Sequence, residues 1–239
     1  MATERTRLLV DAGLSRRETF ERLAAAGVDP ASLTAILITH EHSDHVGGLP
    51  AIARKLDIPI YLSRLTAPAV AWNEYTPKLE LFQAGAKFSI GDIEITSFTI
   101  PHDAADPVGF SFRAEGIKIS IATDLGYLPD SVRFHLRGSD VLLLESNHDV
   151  EMLKVGPYPW AVKQRVMGRM GHLSNDVACS FIQDELDTRT QTLILGHLSE
   201  HNNHPAIVQM FANEALQRRN LHTRLSIATQ DAPSEIFQF

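Results

Sequence analysis

A short apolar run, residues 33–39, leads directly into His40-Glu41-His42-Ser43-Asp44-His45, placing four metal-ligating side chains within six positions behind an expected buried strand. Residues two apart in extended backbone point the same way, so His40 and His42 can grip one ion. Asp44 and His45 follow in a turn that can aim them at a second. Imidazole and carboxylate suit zinc, manganese or iron, and without a thiolate the set does not choose among them.

Three later positions repeat the arrangement. His102 follows an expected strand over 93–100, Asp124 ends one over 117–123, and His197 ends one over 192–195. Each alone is as readily a cap or a turn former; together with the first cluster they complete two sites, with Asp124 as a carboxylate able to bridge both ions. The chain has 11 histidines, and nine fall in such contexts, with only His135 and His222 outside them.

The rest of the pattern is α/β. A strand over 6–10 ends at Asp11, and Ser15-Arg16-Arg17-Glu18 is a capping box opening a helix that Gly27 stops after Ala26. Helices are expected over 49–56, 175–186 (capped by Ser174 or Asn175) and 205–218. Further strands are expected over 58–62, 88–90, 109–114, 141–144 and 223–228, the fourth of them ending at Glu145. Two β-rich halves carrying helices, with polar clusters at strand ends, predict a four-layer αββα sandwich in a single domain spanning 1–239.

Composition sets the context. No window approaches the roughly 18 apolar residues of a membrane span, no apolar stretch follows the charged start, and the single cysteine, Cys179, excludes an internal disulfide; a cytoplasmic location is expected. Cys179 sits among apolar helix neighbours and is expected to pack. The formal charge of −7 argues against an all-round nucleic-acid coat but leaves room for a local basic groove.

The order Asp11, HxHxDH, His102, Asp124, His197 resembles the metallo-β-lactamase superfamily from end to end. The resemblance implies that His40, His42 and His102 hold one metal, that Asp44, His45 and His197 hold the other, and that Asp124 bridges them. Asp11 would be a hydrogen-bonding support beside the site. Pro101-His102-Asp103-Ala104, Leu144-Glu145-Ser146-Asn147-His148-Asp149, Gly171-His172-Leu173-Ser174-Asn175 and the segment from Gly196 through His197, His201 and His204 to Pro205 look like the YycJ/WalJ group, which is implicated in DNA metabolism as a 5′-to-3′ exonuclease. Only residues 1–6 precede the first expected strand, where the family usually has another strand and a turn, so either the start is misassigned or the first sheet is short of an edge strand.

His172 lies in a context resembling the Gly-His-Ser-Thr segment of tRNA 3′-processing endonucleases. The resemblance implies that it protonates the leaving oxygen, with Glu145 as its carboxylate partner; packing at a helix N-terminus is the alternative. His148, His201 and His204 are candidates for substrate contact or for support of the ligands. Lys163, Arg165 and Arg169, with Tyr158 and Trp160, are candidates for phosphate contacts and base stacking, or form a solvated helix face. The reading is a hydrolase using two divalent ions, a phosphodiesterase or nuclease on DNA ahead of RNA, with Asp44, His172 and Glu145 in catalysis. A thioester hydrolase like glyoxalase II, or a small cyclic-phosphate phosphodiesterase, shares all seven ligands and is the alternative. The absence of a signal sequence and of a cysteine ligand speaks against a secreted β-lactamase, and His42 speaks against a di-iron oxidoreductase.

Overall fold

Parallel pairing of two apolar tripeptides starts the first sheet: β1 (Leu8–Val10) lies against β2 (Ala35–Leu37), Leu9 opposite Ile36, in a computed structural model that describes residues 1–72 and 74–239. Between them α1 (Arg16–Ala25) begins as the capping box requires, with the Glu18 N–H donating to Ser15 Oγ at 3.2 Å. After β2 come a single turn, α2 (Ser43–Val46), then α3 (Leu49–Leu56), β3 (Ile60–Ser63) and β4 (Leu79–Phe82), giving an all-parallel sheet in the order β1-β2-β3-β4. Strands covered on a helical face read as continuous apolar runs, and here Ile36, Ile38, Leu49, Ile52, Ile60 and Leu62 form the buried core. β1 is an edge of this sheet, and Met1 folds back onto it, accepting from Leu8 N at 2.8 Å.

The same compact unit, Met1–Thr99 with Ala104–Ala114, contains an antiparallel meander: β5 (Lys87–Ile90), β6 (Ile93–Thr99) and β7 (Val108–Ala114). Its β5–β6 turn is tied to the N-terminus by Asp92, which accepts from the hydroxyls of Thr3 at 2.9 Å and Thr6 at 2.5 Å.

The second unit, Ile100–Asp103 with Glu115–Phe239, is built from parallel crossovers. In chain order these are β8 (Ile117–Ala122), α4 (Asp130–Leu136), β9 (Val141–Glu145), α5 (Val150–Val155), α6 (Trp160–Val166), α7 (Asn175–Asp184), β10 (Thr192–Gly196), α8 (Pro205–Arg218) and β11 (Arg224–Ile227). Its strands run β11-β10-β9-β8, all parallel. Ser174 caps α7 through Val177 N.

The expected elements are all present, most with ends shifted by one to three residues. β4, α4 and α5 were not foreseen, because four to seven residues carry too little periodicity to stand out. Buried Lys118 has a local explanation: its Nζ donates to His135 O and Arg137 O, both at 2.6 Å, holding the last carbonyls of α4. No helix among the described residues is long and apolar enough to cross a membrane.

Candidate metal centre

Three strand-end residues, Asp11, Asp124 and His197, adopt left-handed backbone with φ of 58°, 62° and 57°. For non-glycine residues such conformations cost on the order of 1–3 kcal/mol and persist where surrounding contacts enforce them. Each follows a strand (β1, β8, β10) and turns the chain abruptly, so that a polar side chain emerges just beyond the sheet edge.

In the first unit, Asp11 organises the HxHxDH loop. Its Oδ1 accepts from Thr39 N–H at 2.8 Å, and its Oδ2 takes the Nδ1 proton of His45 at 2.9 Å. The Thr39 hydroxyl donates to the same carboxylate at 2.9 Å, and its oxygen receives His40 Nδ1–H at 3.0 Å. With both Nδ1 positions engaged as donors, His40 and His45 carry their lone pairs on Nε2, the tautomer a metal ligand needs. His45 Nε2 lies 3.5 Å from Asp44 Oδ2. The His40 ring stands 4.6 Å from that of His42, edge to face. Gly13 permits this loop: a Cβ there would fall 1.5 Å from the Asp44 carbonyl oxygen.

The second unit presents a matching set. Buried His102 donates Nδ1–H to Gly171 O at 3.2 Å, leaving Nε2 3.9 Å from Asp124 Oδ1. Burial holds its pKa below the usual imidazole value, which keeps it in the neutral form a ligand requires. His197 Nε2 is 3.3 Å from the same Asp124 oxygen, while its Nδ1–H goes to Glu145 Oε1 at 2.7 Å. His172 Nδ1 reaches that Glu145 oxygen as well, at 2.8 Å. Glu145 Oε2 accepts the backbone N–H groups of Leu125 at 3.1 Å and Leu173 at 2.9 Å. Burial by itself raises the Glu145 pKa, but hydrogen bonds from His172 and His197 outweigh it, and the net shift is downward. Gly171, just ahead of His172, is forced by close backbone approach, since a Cβ would meet Val166 O at 2.2 Å.

The donor spacings in each unit suit coordination of a divalent ion. Two ligands about 2.0–2.1 Å from a tetrahedral metal stand roughly 3.4 Å apart, close to the 3.5 Å of the His45–Asp44 pair and the 3.3 Å of the His197–Asp124 pair. Asp124, Glu145, His172 and His197 also bring one ligand atom each within 4.8 Å of one another. Glu145, however, already accepts four N–H donors. It reads as the group that orients His172 and His197 rather than as a ligand. Such outer carboxylates are worth about 10–100-fold in metal affinity. Asp11→Ala is therefore expected to weaken metal binding by about that factor in chelator competition, and wild-type affinity would overturn its supporting role.

The remaining sequence candidates divide. Lys163 is corrected: it is buried at 8% exposure, and its Nζ donates to Lys154 O at 2.7 Å, holding the end of α5. Its aliphatic stem packs and its ammonium is committed, so it offers no phosphate contact. His148 is buried at 2% exposure, which favours support of its neighbours over direct contact with a polymer. His204 caps α8, accepting from Ala206 N at 3.2 Å, and exposed His201 lies edge-on to Tyr158. Arg165 pairs with Asp103 at 2.5 and 3.2 Å, and the Arg169 guanidinium sits 4.3 Å from the Tyr127 ring centre. Trp160 is 63% exposed. The Cys179 thiol is pushed up to about 11 by burial, as packing implies. Sequence reading missed Thr39, the link between Asp11 and two imidazoles, and Asn147, whose Nδ2 donates to His197 O at 2.8 Å. Thr39 lies in no spacing that distinguishes it from an ordinary polar residue, and Asn147 stands within a family-like motif with no role attached.

A family profile described as a β-lactamase superfamily domain matches residues 6–198. The chain belongs to that superfamily. It is 37% identical over 222 residues to exodeoxyribonuclease YycJ of Bacillus anthracis, covering 92% of this chain and 84% of the relative. It is 36% identical over 236 residues to exodeoxyribonuclease WalJ of Streptococcus pneumoniae D39, covering 97% and 88%. Its fold matches the metallo-β-lactamase fold protein YhfI of Bacillus subtilis with a TM-score of 0.69 at 20% identity, covering 95% of this chain and 86% of that one. The two-sheet α/β architecture expected from strand-end ligands is thus the metallo-β-lactamase fold, and this superfamily member is a metal-dependent hydrolase.

Proposed function

We propose that the protein, working as one metallo-β-lactamase domain, hydrolyses phosphodiester bonds of nucleic acid, DNA ahead of RNA, removing nucleotides in the 5′-to-3′ direction. His40, His42 and His102 would hold one divalent ion and Asp44, His45 and His197 a second, with Asp124 shared; zinc and manganese suit these donors, and iron is compatible with them. Bound there, the ions supply an acidified water and a Lewis-acid clamp on a phosphoryl oxygen.

The observation that carries the reading is the His172–Glu145 pair at 2.8 Å, beside Asp124. His172 is 19% exposed at its side chain while Glu145 is fully buried. Glu145 anchors Nδ1, so Nε2 is the atom that passes a proton to a poor leaving group such as a sugar oxygen. A thioester, with its good leaving group, would not need that acid. Asp44, exposed beside His45, orients the attacking water. The names of the two relatives, both exodeoxyribonucleases, support the choice of DNA. Arg165, Arg169, His201, His204 and Trp160 are assigned to contacts with the strand; Arg165 would have to exchange Asp103 for a phosphate.

Zinc- and manganese-loaded protein assayed on end-labelled single- and double-stranded DNA, RNA and a glutathione thioester tests this. Stepwise release of nucleotides from the 5′ end of DNA is expected. Cleavage of the thioester alone would overturn it.

A further inference from the structure

Two tightly packed turns frame His172 within the second unit. Gly126, two residues past Asp124, has no room for a side chain. A Cβ there would lie 2.4 Å from the Arg169 carbonyl carbon and oxygen and from Gly168 O. Its N–H donates to Pro101 O at 3.0 Å. On the other segment, Gly171 N donates to Gly168 O and His172 N to Val166 O, both at 2.9 Å. Arg169 therefore sits inside a closed turn that ends on His172. Glu145 Oε2 ties the two segments together a second time, accepting from Leu125 N at 3.1 Å and Leu173 N at 2.9 Å.

This backbone lock brings two side chains face to face. Tyr127 follows Gly126 directly, and the Arg169 guanidinium lies 4.3 Å from its ring centre. Arg54 over Tyr75, at 5.7 Å, and Arg224 over Phe237, at 5.4 Å, are looser. Arg169 is exposed and Tyr127 half-buried. A guanidinium engaged through its face keeps its N–H donors in its own plane, at the edges that make two-pronged contacts to phosphate. Stacking thus restricts the side chain before a ligand arrives, which lowers the entropy lost on binding. Arg165 is held differently: it would have to give up Asp103 to meet a phosphate, whereas Arg169 can keep its ring.

Position narrows the occupant. Tyr127 is three residues from Asp124 and Arg169 three from His172, each at most about 11 Å of chain. A polynucleotide advances about 3.4 Å per nucleotide along its axis, so this reach spans about three nucleotides. Arg169 shares a turn with His172, which places it with the group that serves the departing sugar oxygen.

We infer that Tyr127 and Arg169 clamp one backbone phosphate on the leaving side of the scissile bond. Arg169 contacts that phosphate, and Tyr127 is the positioning residue that holds the guanidinium. This rests on the nuclease reading and adds where the strand is gripped and by which pair.

The test measures affinity of the metal-loaded protein for a short phosphorothioate single strand across a salt series, with circular dichroism and metal content confirming each variant. Arg169→Ala is expected to weaken binding about tenfold and to reduce the slope of log affinity against log salt by about 0.7, the value for one lost phosphate contact on a single strand. Arg169→Lys should keep the slope. Tyr127→Leu removes the ring and should weaken binding about two- to fivefold, whereas Tyr127→Phe, which keeps it, should bind like wild type. Arg218→Ala, which removes the same charge elsewhere, should leave the slope unchanged. An unaltered slope in Arg169→Ala, with wild type binding normally, overturns the clamp alone. Equal losses in Tyr127→Leu and Tyr127→Phe overturn the positioning role of the ring. Wild-type protein with no affinity for the strand overturns the nuclease reading and the clamp together.

Discussion

His42→Ala, His45→Ala and Asp124→Ala are each expected to lose bound divalent metal and to lower hydrolysis by about 10³-fold or more, the loss of several kcal/mol of charge stabilisation at the reacting centre. The expectation rests on donor chemistry within each unit. His45 presents Nε2 because Asp11 holds its Nδ1, and that Nε2 stands at ligand spacing from Asp44. Asp124 meets His197 Nε2 at 3.3 Å and His102 Nε2 at 3.9 Å through one oxygen, so its loss removes a group common to two ligands. Asp124→Ala should be the most damaging for that reason. Metal analysis of purified variants, alongside circular dichroism to confirm folding, checks the point; full metal occupancy in all three would sink the ligand assignment.

His172→Ala is expected to lower kcat by about 10²–10⁴-fold on a DNA strand while metal content and folding stay near wild type. The substitution removes the group that would protonate the sugar oxygen and leaves Glu145 still engaged by His197 and by the backbone of Leu125 and Leu173. An ester of p-nitrophenol departs without much help from an acid, so its hydrolysis should fall far less. Glu145→Gln should differ in kind. It loosens both His172 and His197, so metal affinity and the leaving-group step should suffer together. Equal losses for His172→Ala on good and poor leaving groups would remove the acid role, and loss of metal from that variant would make His172 a support of the metal centre.

What the sequence determined by itself is local. An apolar strand ending in HxHxDH dictates ligands beside a sheet edge, and Ser15 with Glu18 dictates the start of α1, because strand alternation and helix capping involve residues a few positions apart. The order of the seven proposed ligands and the pairing of His172 with Glu145 were legible through family resemblance. Tertiary structure decided that His45 and His102 are each held through Nδ1, since that depends on partners such as Asp11, 34 residues from His45, and Gly171, 69 residues from His102. It placed one Glu145 oxygen between His172 and His197, an arrangement no spacing encodes. It also drew Lys163 away from solvent onto the Lys154 carbonyl while leaving Arg165, on the same helix, exposed. A lysine's charge reads alike wherever it stands in a sequence; whether it caps a helix or faces solvent is set by what the fold packs around it.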